Sequence, residues 1–192
     1  MIREVIVTTR NEDNSVHIAP MGIRTESGQV RISPFKPSTT LENLRRNGVA
    51  VINYTDDVRI FAGCLTGHYE WQTVATKKIN GQRLENTLSH LEVEVDRIEE
   101  DELRPAFICN IIHQETHAPF LGLNRAKAAV LECAILVSRL HMLSAEKIDN
   151  EMKYLEVAID KTAGPEELEA WGWLQEKIRK FRMQEAAGEG MV

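Results

Sequence analysis

Pro34-Phe35-Lys36-Pro37-Ser38-Thr39-Thr40-Leu41-Glu42-Asn43-Leu44 leads from the end of a strand into the start of a helix. A helix start presents unpaired backbone N–H groups and the positive end of the helix dipole. Three consecutive hydroxyls, Ser38, Thr39 and Thr40, add donors there, and Lys36 adds a positive charge just before the turn. Together these groups suit a phosphate dianion held by charge-assisted hydrogen bonds. The same residues support a second reading. Thr39 to Glu42 is T-x-x-E, an ordinary capping box, in which Glu42 closes the helix end and its charge discourages an anion. Spacing alone leaves both readings open. Neither G-x-x-x-x-G-K-[ST] nor G-x-G-x-x-G occurs in the chain, which argues against nucleoside triphosphates and the usual dinucleotide folds.

Outward from this stretch, the helix is expected over Thr40 to Asn47, with Leu41 and Leu44 on one side, Arg45 and Arg46 toward solvent, and Gly48 ending it. Upstream, Glu4 to Thr9 is rich in Val, Ile and Thr and reads as a strand. The polar Asn11 to Asn14 turn and Ser15 to Ala19 complete a hairpin. Gln29 to Ser33 is a third strand after Ser27-Gly28. Downstream, Val49 to Tyr54 is nearly all apolar, as in a strand buried on both faces, and Val58 to Gly63 reads as a further strand. Cys64 to Asn86 is expected to hold a long loop. Leu91, Val93 and Val95 alternate with acidic residues, as in a half-exposed strand, and Ala106 to His113 gives another.

The pattern changes near residue 120. Arg125 to Leu143 is apolar almost all round, as in a buried helix. Ser144 caps a second helix running to about Lys161, and Gly164-Pro165-Glu166-Glu167 starts a third. The expected class is α+β: residues 1–118 form an antiparallel, Greek-key-like β-barrel, residues 119–184 a helical segment packing on it, and residues 185–192 a disordered tail.

Composition narrows the partners. With 23 basic and 29 acidic residues the net charge is −6, which argues against nucleic acid and anionic membranes. No stretch approaches the roughly 20 apolar residues of a membrane span. Three cysteines without C-x-x-C spacing suit a reducing compartment, and the N-terminus lacks the features of a signal peptide, so a soluble cytoplasmic protein is expected. His113 and His117 stand four apart, but the order is not H-E-x-x-H and the preceding segment reads as strand, so no metal is expected. Asn124 suits a helix cap, while Arg125 behind it suits a phosphate or a substrate carboxylate. Arg10 follows the first strand, where it can face a cleft. Arg139 and His141 read as packing or interface residues. No serine, cysteine or histidine pattern points to a nucleophile.

Ile18-Ala19-Pro20-Met21-Gly22, then Pro34-Phe35, Ser38-Thr39-Thr40 with Asn43-Leu44, and Val49-Ala50-Val51-Ile52-Asn53-Tyr54 together resemble the FMN-binding split-barrel superfamily, and its flavin-reductase-like members in particular. The segments Leu121 to Lys127 and Arg139-Leu140-His141 are similar to a branch known from methane-producing archaea and methylotrophic bacteria. The resemblance spans roughly residues 1–145. It implies a homodimer with FMN near the subunit interface, Lys36, Ser38, Thr39 and Thr40 around the phosphate, Asn43 close by, and the backbone of Ala19, Pro20, Met21 and Gly22 beside the ring. In that setting Met21 and Phe35 suit a flat apolar wall, and Thr8, Thr9 and Asn53 suit either polar contacts to the ring or satisfied strand positions. The implied function is an FMN-dependent oxidoreductase of flavin-reductase type, drawing on NADH, NADPH or a pterin. The alternative is a non-catalytic flavin- or pterin-binding carrier or scaffold linked to one-carbon metabolism.

Overall fold

Strand β1, Ile2–Arg10, sends Val5 and Val7 into the core. A tight turn, with Asn14 in the left-handed region, returns the chain as β2, Val16–Glu26. The elements that follow are β3 (Gln29–Ile32), α1 (Thr39–Asn47), β4 (Val49–Tyr54), α2 (Val58–Thr66), β5 (Thr73–Ala75), β6 (Gln82–Leu84), β7 (Ser89–Glu99), β8 (Ala106–Thr116), α3 (Arg125–Val137), α4 (Ala145–Thr162) and α5 (Pro165–Glu189). The structure, a computed structural model, describes residues 1–189.

Six strands close into an antiparallel barrel in the order β1-β2-β3-β8-β7-β4. Alternate residues of its strands fill the interior with Ile23, Ile32, Ile52, Leu91, Val93 and Phe107, and α1 adds Leu41 and Leu44. Closure leaves no open edge between β1 and β4, which pair through Ile6 to Asn53 and Thr8 to Val51. Outside the barrel, β5 and β6 form a small hairpin over residues 73–84, tied to the outward residues of β1, β4 and β7. The β7–β8 pairing shifts register between Glu92 and Val93: Glu92 faces His113 and Val93 faces Ile111, leaving Ile112 as an extra residue.

Helices α2 to α5 form a second compact unit, made of residues 57–69 together with residues 121–189. Its core joins Val58 and Ala62 of α2 to Ala126, Val130 and Cys133 of α3, Ile148 and Ile159 of α4, and Trp171, Leu174 and Ile178 of α5. The small residues along α3 allow close packing on three neighbours. Trp171 is buried, while Trp173 is half-buried and stacks on His68 at 4.0 Å between ring centroids. Among the described residues, no helix is long and apolar enough to cross a membrane.

Four expectations are corrected. Val58 to Gly63 is helix, capped by the Asp57 side chain on Arg59 N–H and ended by left-handed Gly67. The supposed loop over Cys64 to Asn86 contains the end of α2 and the β5–β6 hairpin. The helix from Arg125 stops at Val137, and a 3-10 turn over Leu140–Met142 follows it. Helix α5 continues through Glu189, because Gln184 to Ala187 are good helix formers; the rest of the expected disordered tail, residues 190–192, lies outside the described residues.

Candidate functional site

At the β3–α1 junction Ser38 is the helix cap, its hydroxyl accepting from the Leu41 N–H at 3.3 Å. The capping box at Thr39 and Glu42, the second of the two readings, does not form. The helix begins one residue earlier than that reading requires, so Glu42 falls beyond the capping position and its side chain is exposed. Its backbone N–H bonds to the Ser38 carbonyl at 3.2 Å. The corner therefore keeps the donors of its first turn. The Thr39 side chain is exposed, and neither the Thr39 nor the Thr40 hydroxyl bonds another described residue. Thr40 itself is only 2 % exposed, so Ser38 and Thr39 are the reachable hydroxyls. Lys36 is turned the other way: its ammonium donates to the Asp101 carbonyl at 2.7 Å and lies 3.8 Å from Glu100.

A polar clasp fixes α1 against β1. Asn43 donates to Thr9 at 3.0 Å and to Asn11 at 2.9 Å, and accepts from Arg46. Arg46 and Asn47 both donate to the Arg10 carbonyl. Thr9 and Asn43 are thus structural anchors of the corner. The Arg10 guanidinium points away and donates to Asn80 at 2.6 Å.

Ala19, Pro20, Met21 and Gly22 lie on β2, all half-buried, opposite Val7, Ile6, Val5 and Glu4. Met21 packs against the barrel core. A Cβ on Gly22 would meet the Ile2 side chain at 2.9 Å, so glycine leaves that strand room beside β1. Phe35 is 60 % exposed, with the Arg104 guanidinium 4.1 Å above its ring. Nearby, Ile2, Gly22, Arg24, Arg31, Ser33 and Arg104 line an open cleft of about 240 Å³. Arg125 belongs to the helical unit, at the first turn of α3, where it lines a groove with Ala129, Glu132 and Tyr154.

A second polar region lies under the β5–β6 hairpin, and most of it escapes a sequence reading. Thr8 donates to the Gln82 carbonyl at 2.6 Å. Asn53 donates to the Ile6 carbonyl and to Thr8, and accepts from the Leu84 N–H at 2.8 Å. Glu92, fully buried, accepts from the backbone N–H groups of Lys77, Lys78 and Ile79. Burial pushes the Glu92 carboxyl up, but the three N–H donors outweigh it and hold the group below the usual glutamate range. His90, 1 % exposed, sits between Glu92 at 3.3 Å and His117 at 2.9 Å. His113 and Glu115 approach from β8. The alternation of Leu91, Glu92 and Val93 places Glu92 on the outer face, as expected; nothing local says that a hairpin covers that face.

The thiols offer no activated nucleophile. Burial pushes Cys64 to about 11 and Cys109 and Cys133 to about 12.

Two family models match the chain: "Protein of unknown function (DUF447) N-terminal domain" over residues 3–118 and "Protein of unknown function (DUF447)" over residues 124–176. No curated protein matches the sequence. Among solved structures, the FMN-bound protein MM1853 from Methanosarcina mazei, itself assigned to DUF447, superposes with a TM-score of 0.78 at 20% identity, covering 92% of this chain and 94% of that one. The 2-nitrobenzoate 2-nitroreductase NbaA of Pseudomonas fluorescens gives 0.52 at 16% identity, over 59% and 64% of the two chains. The styrene monooxygenase flavin reductase of Pseudomonas putida S12 gives 0.50 at 15%, over 60% and 80%. The fold is that of the FMN-binding split barrels, in agreement with the resemblance read from the sequence.

Proposed function

Since the chain belongs to the DUF447 family, matching its models over both halves, we propose that it binds FMN at the corner of β2, β3 and α1 and acts as an oxidoreductase of flavin-reductase type. One observation carries the reading. Ser38 caps α1 while Glu42 lies one position past the capping-box place with its side chain exposed, so the first turn keeps open N–H groups beside the Thr39 hydroxyl. That donor set fits a phosphate ester at a helix start. Ser38, Thr39 and the N–H groups of Thr39 and Thr40 would hold the phosphate, and residues 19–22 would flank the ring. The flavin, when bound, supplies the hydride and electron chemistry. The chain's part is binding, orientation and exclusion of water. NADH, NADPH or a reduced pterin is the proposed donor class.

The proposal includes a homodimer. Phe120, Leu121 and Leu123 are 59 %, 91 % and 98 % exposed, an apolar segment that a second copy would cover. Light scattering on purified protein tests this, and a monomer at micromolar concentration would remove the dimer from the proposal.

The phosphate assignment is tested by comparing FMN with riboflavin, which lacks the ester. Thr39→Ala should weaken FMN about 10- to 100-fold, since a hydrogen bond to a charged group contributes about 1.5–3 kcal/mol, and leave riboflavin unchanged. Equal weakening of both ligands would place the phosphate elsewhere. Selective loss of FMN on Arg104→Ala instead would move it to the arginine cleft. Oxidation of NADH or NADPH by the flavin-loaded protein then separates an enzyme from a binding module.

A further inference from the structure

Strands β7 and β8, with His117 just past the end of β8, gather three histidines and two glutamates near the β5–β6 hairpin, a cluster that the flavin reading does not use. We propose that His90, His113 and Glu115, joined by His117, bind a divalent transition-metal ion of the zinc type. One potential ligand atom from each of His90, His113 and Glu115 lies within 4.8 Å of the others. Ligands at about 2.0–2.2 Å from a tetrahedral zinc sit roughly 3.4 Å apart, so small side-chain rotations close the set. His117 adds its Nε2, 2.9 Å from His90 Nδ1. That is a hydrogen-bond distance, so the two nitrogens share a proton that an incoming ion would displace.

Three further features aim the groups at a common point. Glu92 is fully buried and already accepts three backbone N–H groups, so it holds the Nε2–H of His90 as an acceptor and leaves the Nδ1 lone pair facing His117 Nε2. A carboxylate behind a ligating imidazole is the usual means of fixing its tautomer and orientation. The extra residue Ile112 turns His113 and Glu115 onto the face of His90 and Glu92; in an unbroken strand His113 would share the inward face of Phe107, Cys109 and Ile111. Finally, His113 Nε2 is buried without a hydrogen-bond partner, its closest carboxylate oxygen being Glu115 Oε2 at 3.8 Å. Glu115 Oε1 is held by Lys77 at 2.6 Å, which leaves Oε2 for the site. A metal would satisfy the one orphaned imidazole nitrogen of the cluster. Four ligands of which most are imidazoles favour zinc, and also cobalt and nickel, over calcium or magnesium.

The test uses the full chain, stripped with a chelator and titrated with Zn²⁺ against a chromophoric competitor, with melting temperature and the visible spectrum of the Co²⁺-loaded protein as further readouts. The expected result is one Zn²⁺ per chain, a raised melting temperature and strong Co²⁺ bands. His113→Ala and Glu115→Gln, both at partly exposed positions, should lose all three. Gln114→Ala, on the other face of β8, should keep them. The absence of a one-to-one Zn²⁺ complex in the unmodified chain overturns the site, as does equal Zn²⁺ binding by His113→Ala and Glu115→Gln. Should one of these two variants fail to fold, the other decides. None of the readouts depends on bound flavin, so the outcome is independent of the FMN assignment.

Discussion

Asn53 uses both halves of its amide inside the protein, bonding β1 on one side and the Leu84 N–H of the hairpin on the other. Of the two roles the sequence allows for Thr8 and Asn53, ring contact or satisfied strand position, the structure supplies partners for the second. Asn53→Ala should therefore cost about 1–3 kcal/mol, the penalty for stranding a buried N–H, read as a lower urea midpoint. His17 sets the sign of one pH dependence. Burial holds its imidazole below the ordinary 6.5. The unfolded chain then takes up the proton more readily, so this contribution to stability is complete above about pH 6.5 and declines as pH falls through the unfolded value. His17→Asn should flatten that part of the curve of urea midpoint against pH, and an unchanged slope would refute the assignment.

Among the elements, α1 is the one whose limits the sequence declares most openly. Gly48, at φ 67°, ends it in the left-handed conformation that most side chains resist. Gly48→Ala should cost about 1–2 kcal/mol in thermal or urea unfolding, with little change in FMN binding, because the strain lies at the far end of the helix from the proposed phosphate. The barrel strands were legible for the same reason as α1: alternation and turn residues are local signals. Helix α2 was not. Val58 to Gly63 is an apolar run too short for periodicity to separate helix from strand, and the deciding marks were Asp57 before it and Gly67 after it. The β5–β6 hairpin was hidden more deeply. Its strands are three residues long, and what holds them is a set of bonds to residues as far away in sequence as Thr8 and Glu92. The same distance concealed His90, whose partners come from β8 and from beyond its end. The phosphate corner, being one continuous segment, could be read directly; even there the choice between Ser38 and Thr39 as cap needed the backbone.

For the whole molecule, the division between barrel and helices does not follow the order of the chain. Residues 57–69 leave the barrel segment to complete the helical core and return at residue 70. A fragment ending at residue 118 keeps α2 but loses α3, α4 and α5, which bury Val58 and Ala62. Such a fragment should bind a hydrophobic dye and aggregate. Replacing residues 57–69 by a short polar linker in the same fragment should restore solubility. Equal behaviour of the two fragments would show that α2 has no need of the other helices.

This threading also bears on how such a protein can be inherited. An appendage joined at a single point can be gained or shed by one recombination event, each piece keeping its own interior. Here a cut near residue 120 would deprive the later helices of a wall of their interior, which is encoded in the middle of the barrel's reading frame. Descendants are therefore expected to keep both halves together, and a lineage reduced to the first should show its thirteen-residue excursion shortened or turned polar.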